Sequence, residues 1–181
     1  AQMYYPIMLR VKGEPVLVVG GGRVALRKAR DLRKAGAELV VVGPRPFKAF
    51  QGLKARLVRR PFRSGDAAGM SLAIAATDDP RVNRAVFLAC RRRGIPVNVV
   101  DVPELCSFIV PSVVRRGPMT VSISTGGLSP SLAKALRLRL EALLPASLGP
   151  LARRLGRERK KIMRLMTPSP ARTRRLKALV R

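Results

Sequence analysis

The chain has 181 residues, 47% of them hydrophobic, and its 37 basic and 10 acidic side chains give a formal net charge of +27. That length holds one sizeable core with a smaller appendage, and that hydrophobic content excludes a disordered chain. With no histidine and only two cysteines, Cys90 and Cys106, neither a structural zinc site nor a disulfide framework is expected.

Residues 1–12 lack a charged start followed by an apolar block, and no apolar run approaches the ~18 residues of a membrane span, so a cytoplasmic protein is expected. Tyr4 to Leu9 is a short apolar lead-in, read as an edge segment, and Lys12-Gly13-Glu14 is a turn. Pro15 to Val19 predicts the first strand. It runs straight into Gly20-Gly21-Gly22, after which an amphipathic helix opens and continues to Ala35. The spacing Gly20-x-Gly22-x-x-Ala25 matches the dinucleotide-binding fingerprint. Gly20 permits the sharp turn, Gly22 lets backbone approach a pyrophosphate, and Ala25 lets the helix pack closely on the strand. The helix N-terminus then faces the phosphates with free N–H groups. Alone, such a triplet also ends ordinary strands. Its place between an apolar strand and a helix favours the nucleotide.

Gly36 stops the helix, and Glu38 to Val42 is a second strand, nearly all apolar as buried parallel strands are. The acid that usually holds the ribose hydroxyls at the end of this strand is missing; Gly43-Pro44-Arg45 stands there instead. Arg45 suits a 2′-phosphate or is one more surface arginine. Phe47 to Leu53 is a linking helix or loop, Ala55 to Arg59 a third strand, and Ser71 to Ala76 a buried fourth. Asp79 and Pro80 are an N-cap and first helical residue, opening a helix to about Arg93. Pro96 to Val100 is the fifth strand.

Strands alternating with helices in this way predict an α/β class protein with a Rossmann-like, doubly wound parallel sheet. Ligands on such sheets lie beyond the carboxyl ends of the strands, which here are Gly20–Val24, Gly43–Arg45, Thr77–Asp79 and Asp101. The pattern then changes. Ser107 to Val114 and Met119 to Ser124 predict a strand pair about Arg115-Arg116-Gly117-Pro118. Ser129-Pro130 opens a helix to Leu144 with Leu132, Leu136, Leu140 and Leu143 on one face. Such a piece cannot bury both faces alone, so a two-fold dimer is expected. From Leu148 onward the chain is basic and helical, interrupted at Thr167-Pro168-Ser169-Pro170. Three parts follow: residues 1–110 binding a nucleotide, 111–146 for dimerisation, and 147–181 a small basic helical domain.

The charge is uneven: residues 1–110 carry 20 basic and 8 acidic side chains, residues 111–181 carry 17 and 2. Such a field attracts polyanions, whether nucleic acid, an anionic membrane or a small polycarboxylate. The basic tail has a narrow apolar face without aromatic residues, so docking by that face is favoured over membrane binding.

Four motifs, in order, resemble one family. They are Gly20-Gly21-Gly22-Arg23-Val24-Ala25-x-Arg27-Lys28, Ala75-Ala76-Thr77-Asp78-Asp79, Asn98-Val99-Val100-Asp101-x-Pro103-Glu104-Leu105-Cys106-Ser107-Phe108, and Ser124-Thr125-Gly126-Gly127-x-Ser129-Pro130. The set resembles the precorrin-2 dehydrogenase/sirohydrochlorin ferrochelatase family, the N-terminal module of siroheme synthase. The resemblance implies NAD as cofactor, with contacts at Arg23, Val24, Pro44 and Arg45, which join Gly20 and Gly22 of the fingerprint and Thr77 at the end of the fourth strand as the expected cofactor-binding residues. It also implies a homodimer and precorrin-2 oxidised to sirohydrochlorin, with Fe²⁺ inserted by many members. The catalytic aspartate falls on Asp101 and an active-site hydroxyl on Thr125. A polycarboxylate tetrapyrrole suits the basic surface. No resident metal is expected. Some members are thought to use a histidine in chelation, and this chain has none.

Two other readings stand beside this one. An NAD-sensing module without chemistry accounts for Gly20–Ala25 but not for Asp101 and the run after it. A nucleic-acid-binding protein accounts for the charge, yet seven aromatic residues leave few stacking platforms and no recognised motif appears.

Overall fold

The computed structural model describes residues 3–180. They form two compact units, Ala1–Ile109 and Val110–Arg181.

In the first unit, β1 (Pro15–Val19), β2 (Glu38–Val42), β3 (Arg56–Val58), β4 (Leu72–Ala75) and β5 (Val97–Val99) form one parallel sheet in the order β3-β2-β1-β4-β5. Helix α1 (Arg23–Lys34) links β1 to β2, and α2 (Pro80–Arg91) links β4 to β5. The continuous apolar strands are explained by two buried faces. Val16 and Val18 pack with Leu39, Val41, Ala25, Leu26, Ala29 and Phe50 on the α1 side. Leu17 and Val19 pack with Val42, Ala73, Ala75, Val86, Ala89 and Cys90 on the α2 side. The period of two along a strand thus feeds two cores, each closed by a helix. The chain winds outward from β1 through β2 to β3, then crosses to β4. The carboxyl ends of β1 and β4 therefore flank the switch point at which open α/β sheets bind ligands.

Two sequence-based expectations need correction. Tyr4 to Leu9 forms no strand, and Tyr5, Ile7, Met8 and Leu9 are exposed. Apolar content cannot supply a sheet edge to pair with. The strand expected from Ser107 begins only at Ser112. Residues 106–108 instead lie along β5: the Ser107 N–H donates to the Val97 carbonyl at 2.9 Å, and Asn98 Nδ2 donates to the Phe108 carbonyl at 3.0 Å. That segment covers the outer edge of the sheet.

In the second unit, β6 (Ser112–Arg116) and β7 (Met119–Ile123) form an antiparallel pair in which Val114 faces Val121. The two-residue loop Gly117-Pro118 has its glycine first, at φ +61°, as a type II′ hairpin turn requires. Helix α3 (Pro130–Leu143) starts at Ser129, whose hydroxyl accepts the Leu132 N–H, as the Ser-Pro pair predicts. Arg116 on β6 donates to the carbonyls of Glu141 and Leu144 and so closes the carboxyl end of α3. Ala133 is buried, but Leu132, Leu136 and Leu143 are exposed at 51, 38 and 74%. Three of the four leucines expected on that face are therefore exposed, while Leu140 is half-buried. Helix α4 (Leu148–Leu165) and helix α5 (Pro170–Ala178) complete the unit, broken at 167–169 as the sequence predicts. A Cβ on Gly149 would meet the Arg116 carbonyl oxygen at 3.0 Å, so the first turn of α4 rests on the hairpin main chain. No helix among the described residues is long and apolar enough to cross a membrane.

Candidate functional site

The bend after β1 is built so that each glycine answers to a different constraint. Gly20 has φ +124°, and a Cβ there would lie 2.2 Å from the Ala76 carbonyl oxygen at the end of β4. A Cβ on Gly21 would lie 2.7 Å from Pro46 Cα. At Gly22 a Cβ would meet nothing within 4 Å. No protein contact explains the third glycine; the open space is what a ligand backbone would use. Gly22 is also the N-cap of α1, and no side chain caps that helix. Its first turn carries no acid, and its first residue is Arg23, a charge that the helix dipole disfavours there. By contrast Asp79, Ser129 and Ser169 each cap the helix that follows them. The amino end of α1 thus retains free N–H groups beside an open floor, and these residues fit the pyrophosphate of a dinucleotide.

The loop leaving β2 passes over this bend. The Phe47 N–H donates to the Gly21 carbonyl at 3.0 Å, and a Cβ on Gly21 would lie 2.8 Å from the Arg45 carbonyl oxygen. Pro44 and Arg45 are exposed, and the Arg45 side chain has no hydrogen-bond or ion-pair partner among the described residues.

Across the switch point, Thr77 follows β4. Its hydroxyl lies 2.8 Å from Asn83 Oδ1, while Asn83 Nδ2 donates to the Thr77 carbonyl at 2.9 Å. The Thr77 hydroxyl is held within the protein, and what the loop offers to the cleft is a fixed wall against Gly20. Asn83, 7% exposed, is the partner that fixes this loop, and sequence reading missed it. An asparagine one turn inside an amphipathic helix looks solvated. The only signal was its place three residues after the Asp79-Pro80 start.

Asp101 stands two residues beyond β5, with φ +61°, a left-handed conformation that Asp tolerates. It is exposed, and its carboxylate accepts no hydrogen bond among the described residues. It caps no loop. It lies within electrostatic reach of Lys28 on α1, which is half-buried. Burial holds the Lys28 ammonium below the ordinary lysine value and Arg27 adds to this, while Asp31, Asp101 and Cys106 oppose it. The helix that starts at the glycine bend therefore carries a cation within electrostatic reach of Asp101. Burial pushes the Cys106 thiol up, and the Cys90 thiol up to about 11, so neither is a ready thiolate.

Thr125 belongs to the second unit, in the loop before α3. Its hydroxyl accepts the Ser129 N–H at 2.9 Å, and Gly126 and Gly127 follow with φ +64° and +88°. Among the described residues no three His, Cys, Asp or Glu side chains gather to hold a metal ion.

Residues 7–112 match a family model described as putative NAD(P)-binding, and residues 116–143 match that of the sirohaem biosynthesis protein central region. The chain belongs to the putative NAD(P)-binding family of the first model. Its relatives include the siroheme synthase of Thioalkalivibrio sulfidiphilus, 50% identical over 82% of this chain and 31% of that protein. The siroheme synthase of Methylococcus capsulatus is 46% identical over 92% of this chain and 36% of that protein. The chain thus spans about a third of the length of these curated relatives. A solved structure described as SirC, precorrin-2 dehydrogenase, is 27% identical, with a TM-score of 0.82 over 98% of this chain and 90% of that one. The Rossmann-like sheet, the strand pair and the terminal helices expected from the sequence are those of that fold.

Proposed function

We propose that this chain is an NAD-dependent precorrin-2 dehydrogenase that forms sirohydrochlorin in siroheme biosynthesis. The observation that carries the reading is its likeness to SirC along nearly the whole chain. The glycine bend, the uncapped α1 and the free Asp101 carboxylate support it from within.

Gly20 and Gly22 would seat the pyrophosphate, with the N–H groups of Arg23 and Val24 donating to it. Pro44 and Arg45 would cover the adenosine end, and the Thr77 loop would wall the nicotinamide side. The bound nicotinamide supplies the hydride acceptor. Removing a hydride from the tetrapyrrole must be matched by loss of a proton, and a free carboxylate can accept it. Asp101 is that carboxylate in this reading. Thr125 presents a hydroxyl from a glycine-flanked loop, where it would orient substrate. The surplus of basic residues draws a polycarboxylate substrate into place and speeds its capture.

Residues 1–110 serve as the cofactor-binding part in this proposal, 111–146 as the dimerisation part and 147–181 as the basic helical part. The exposed Leu132, Leu136 and Leu143 support a homodimer built on α3. The enzyme would work in the cytoplasm. Fe²⁺ insertion into sirohydrochlorin would be a second activity, resting on Asp101 to strip pyrrole protons.

Purified protein with precorrin-2 and NAD⁺ should produce sirohydrochlorin and NADH absorbance together. Nucleotide binding without turnover would overturn the dehydrogenase and leave a nucleotide-sensing module. Sirohydrochlorin with Fe²⁺ or Co²⁺ tests chelation separately, read against the spontaneous rate.

A further inference from the structure

The first unit has a second concave feature, at the end of its sheet opposite the glycine bend. Helices α1 and α2 each have twelve residues, but the connection from β3 to β4 holds only a four-residue helical turn, Ser64–Ala67. The face of β2 and β3 that a full crossover helix would cover stays partly open, and Val40 and Val58 on it are half-buried. Val40 and Arg56 are register partners, so their side chains leave the sheet on the same face. A pocket of about 510 Å³ lies there, within the size range of small-molecule sites. Leu39, Val40 and Met70 give it apolar lining, Arg33, Lys54 and Arg56 give it three cations, and Glu38 gives it one acid.

We propose that this pocket binds a small organic dianion, at a site separate from the nucleotide crevice. Its four charged side chains form no ion pair among the described residues. The other acids of the region are committed: Asp66 accepts from Arg60 at 2.8 and 2.6 Å, and Glu14 accepts the Ser71 hydroxyl at 2.7 Å. Three cations against one acid leave two positive charges for a ligand to neutralise.

Two of the cations are held in place by the backbone. Arg33 Nη1 donates to the Ala37 carbonyl at 3.1 Å, which steadies the guanidinium and leaves its other N–H groups for a carboxylate or phosphate. Lys54 has φ +51°, a left-handed conformation at the end of a helical turn that glycine suits best. A lysine there sets a flexible ammonium two residues from Arg56 and adds a point charge to the planar donors of the two arginines.

Glu38 and Arg56 are the first residues of β2 and β3, whereas the glycine bend follows the last residue of β1. A five-residue strand spans about 17 Å, so the two sites lie at opposite ends of the sheet. Nucleotide and dianion therefore bind without competing, a clause that rests on the dinucleotide reading of the bend.

Calorimetric titration of the full chain with succinate, and separately with glycerol 3-phosphate, tests the site, each with and without saturating NAD⁺. At least one of the two should bind with a dissociation constant below about 1 mM, with or without NAD⁺. Which one binds tells a dicarboxylate site from a phosphate-monoester site. Lys54→Gly, which suits the left-handed backbone, and Arg56→Gln, at an exposed side chain, should each weaken binding about tenfold. Glu38→Gln, which removes a repelling charge, should tighten it. The double variant Arg30→Gln/Arg84→Gln removes two exposed charges outside the pocket and should leave the affinity unchanged. Binding of neither dianion below about 1 mM would overturn the site. So would an affinity unmoved by both Lys54→Gly and Arg56→Gln, or lowered equally by the outside pair, which would mean a diffuse positive surface. Displacement of the dianion by NAD⁺ would move it to the nucleotide crevice, ending this proposal and leaving the dinucleotide reading intact.

Discussion

Asn83 grips Thr77 from inside α2, its Oδ1 2.8 Å from the threonine hydroxyl and its Nδ2 donating to the threonine carbonyl at 2.9 Å. One side chain thus sets the shape of the loop at the end of β4, which forms one wall of the switch-point crevice. Asn83→Leu removes both partners of a nearly buried loop segment. It should cost about 1–3 kcal/mol of stability in a denaturant titration. Nucleotide affinity should fall as well, because Ala76 and Thr77 abut Gly20. Unchanged affinity in a folded Asn83→Leu protein would remove that loop from the binding wall.

The glycine bend separates folding from binding. Gly20→Ala combines a positive φ with a carbonyl oxygen 2.2 Å from the new methyl group. It should lose about 3 kcal/mol and lower the melting temperature sharply. Gly22→Ala places its methyl in open space. It should stay within about 1 kcal/mol of the wild type, yet bind nucleotide much more weakly. Calorimetry of melting and of nucleotide titration, on both variants, reads the two effects apart.

Asp101→Asn keeps a side chain that tolerates the left-handed backbone but cannot take up a proton at neutral pH. Turnover with precorrin-2 should drop by about 10²–10⁴-fold, with nucleotide affinity close to the wild type. A variant with full turnover would take the proton-accepting role away from Asp101.

The Arg60–Asp66 pair sets a pH dependence of stability. Arg60 holds the Asp66 carboxyl below its ordinary value of 3.8, helped by the Arg63 N–H, with burial opposing. A carboxyl depressed in the folded state stabilises it above the unfolded value, and that stabilisation fades as pH falls through the folded value. Asp66→Asn should therefore be less stable than the wild type at pH 7. The gap should close as pH falls below 3.8. Stability curves at several pH values check this, and a gap independent of pH would mean that packing, not charge, accounts for the loss.

Much of this architecture is legible in the order of residues. Pro15–Val19 before three glycines, Asp79-Pro80 and Ser129-Pro130 are local signals, each decided by neighbours a few residues away. They appear in the structure as a strand, a bend and two capped helices. What escapes such reading is decided across the sheet. Asn83 looks like a solvated helix residue until β4 brings Thr77 to it. Ser107 and Phe108 look like the start of a hairpin strand until β5 offers Val97 and Asn98 as partners. The Tyr4–Leu9 run has the composition of a strand and no edge to join. The site follows the same rule. The glycines were readable because φ and steric approach restrict a single residue. The environment of Asp101, with Lys28 of α1 within electrostatic reach, depends on two elements more than seventy residues apart in the chain.

The meeting of Gly117 and Gly149 bears on how the arginine-dense end of the chain can change. Main chain meets main chain there, with the Arg153 guanidinium closing over Gly117, so the heading of α4 as it leaves the hairpin depends on this contact and on no cation of α4 beyond Arg153. Arginines and lysines along its outer side are free to drift in number and order without turning the helix. A mutation at either small residue would swing the entire positively charged arm.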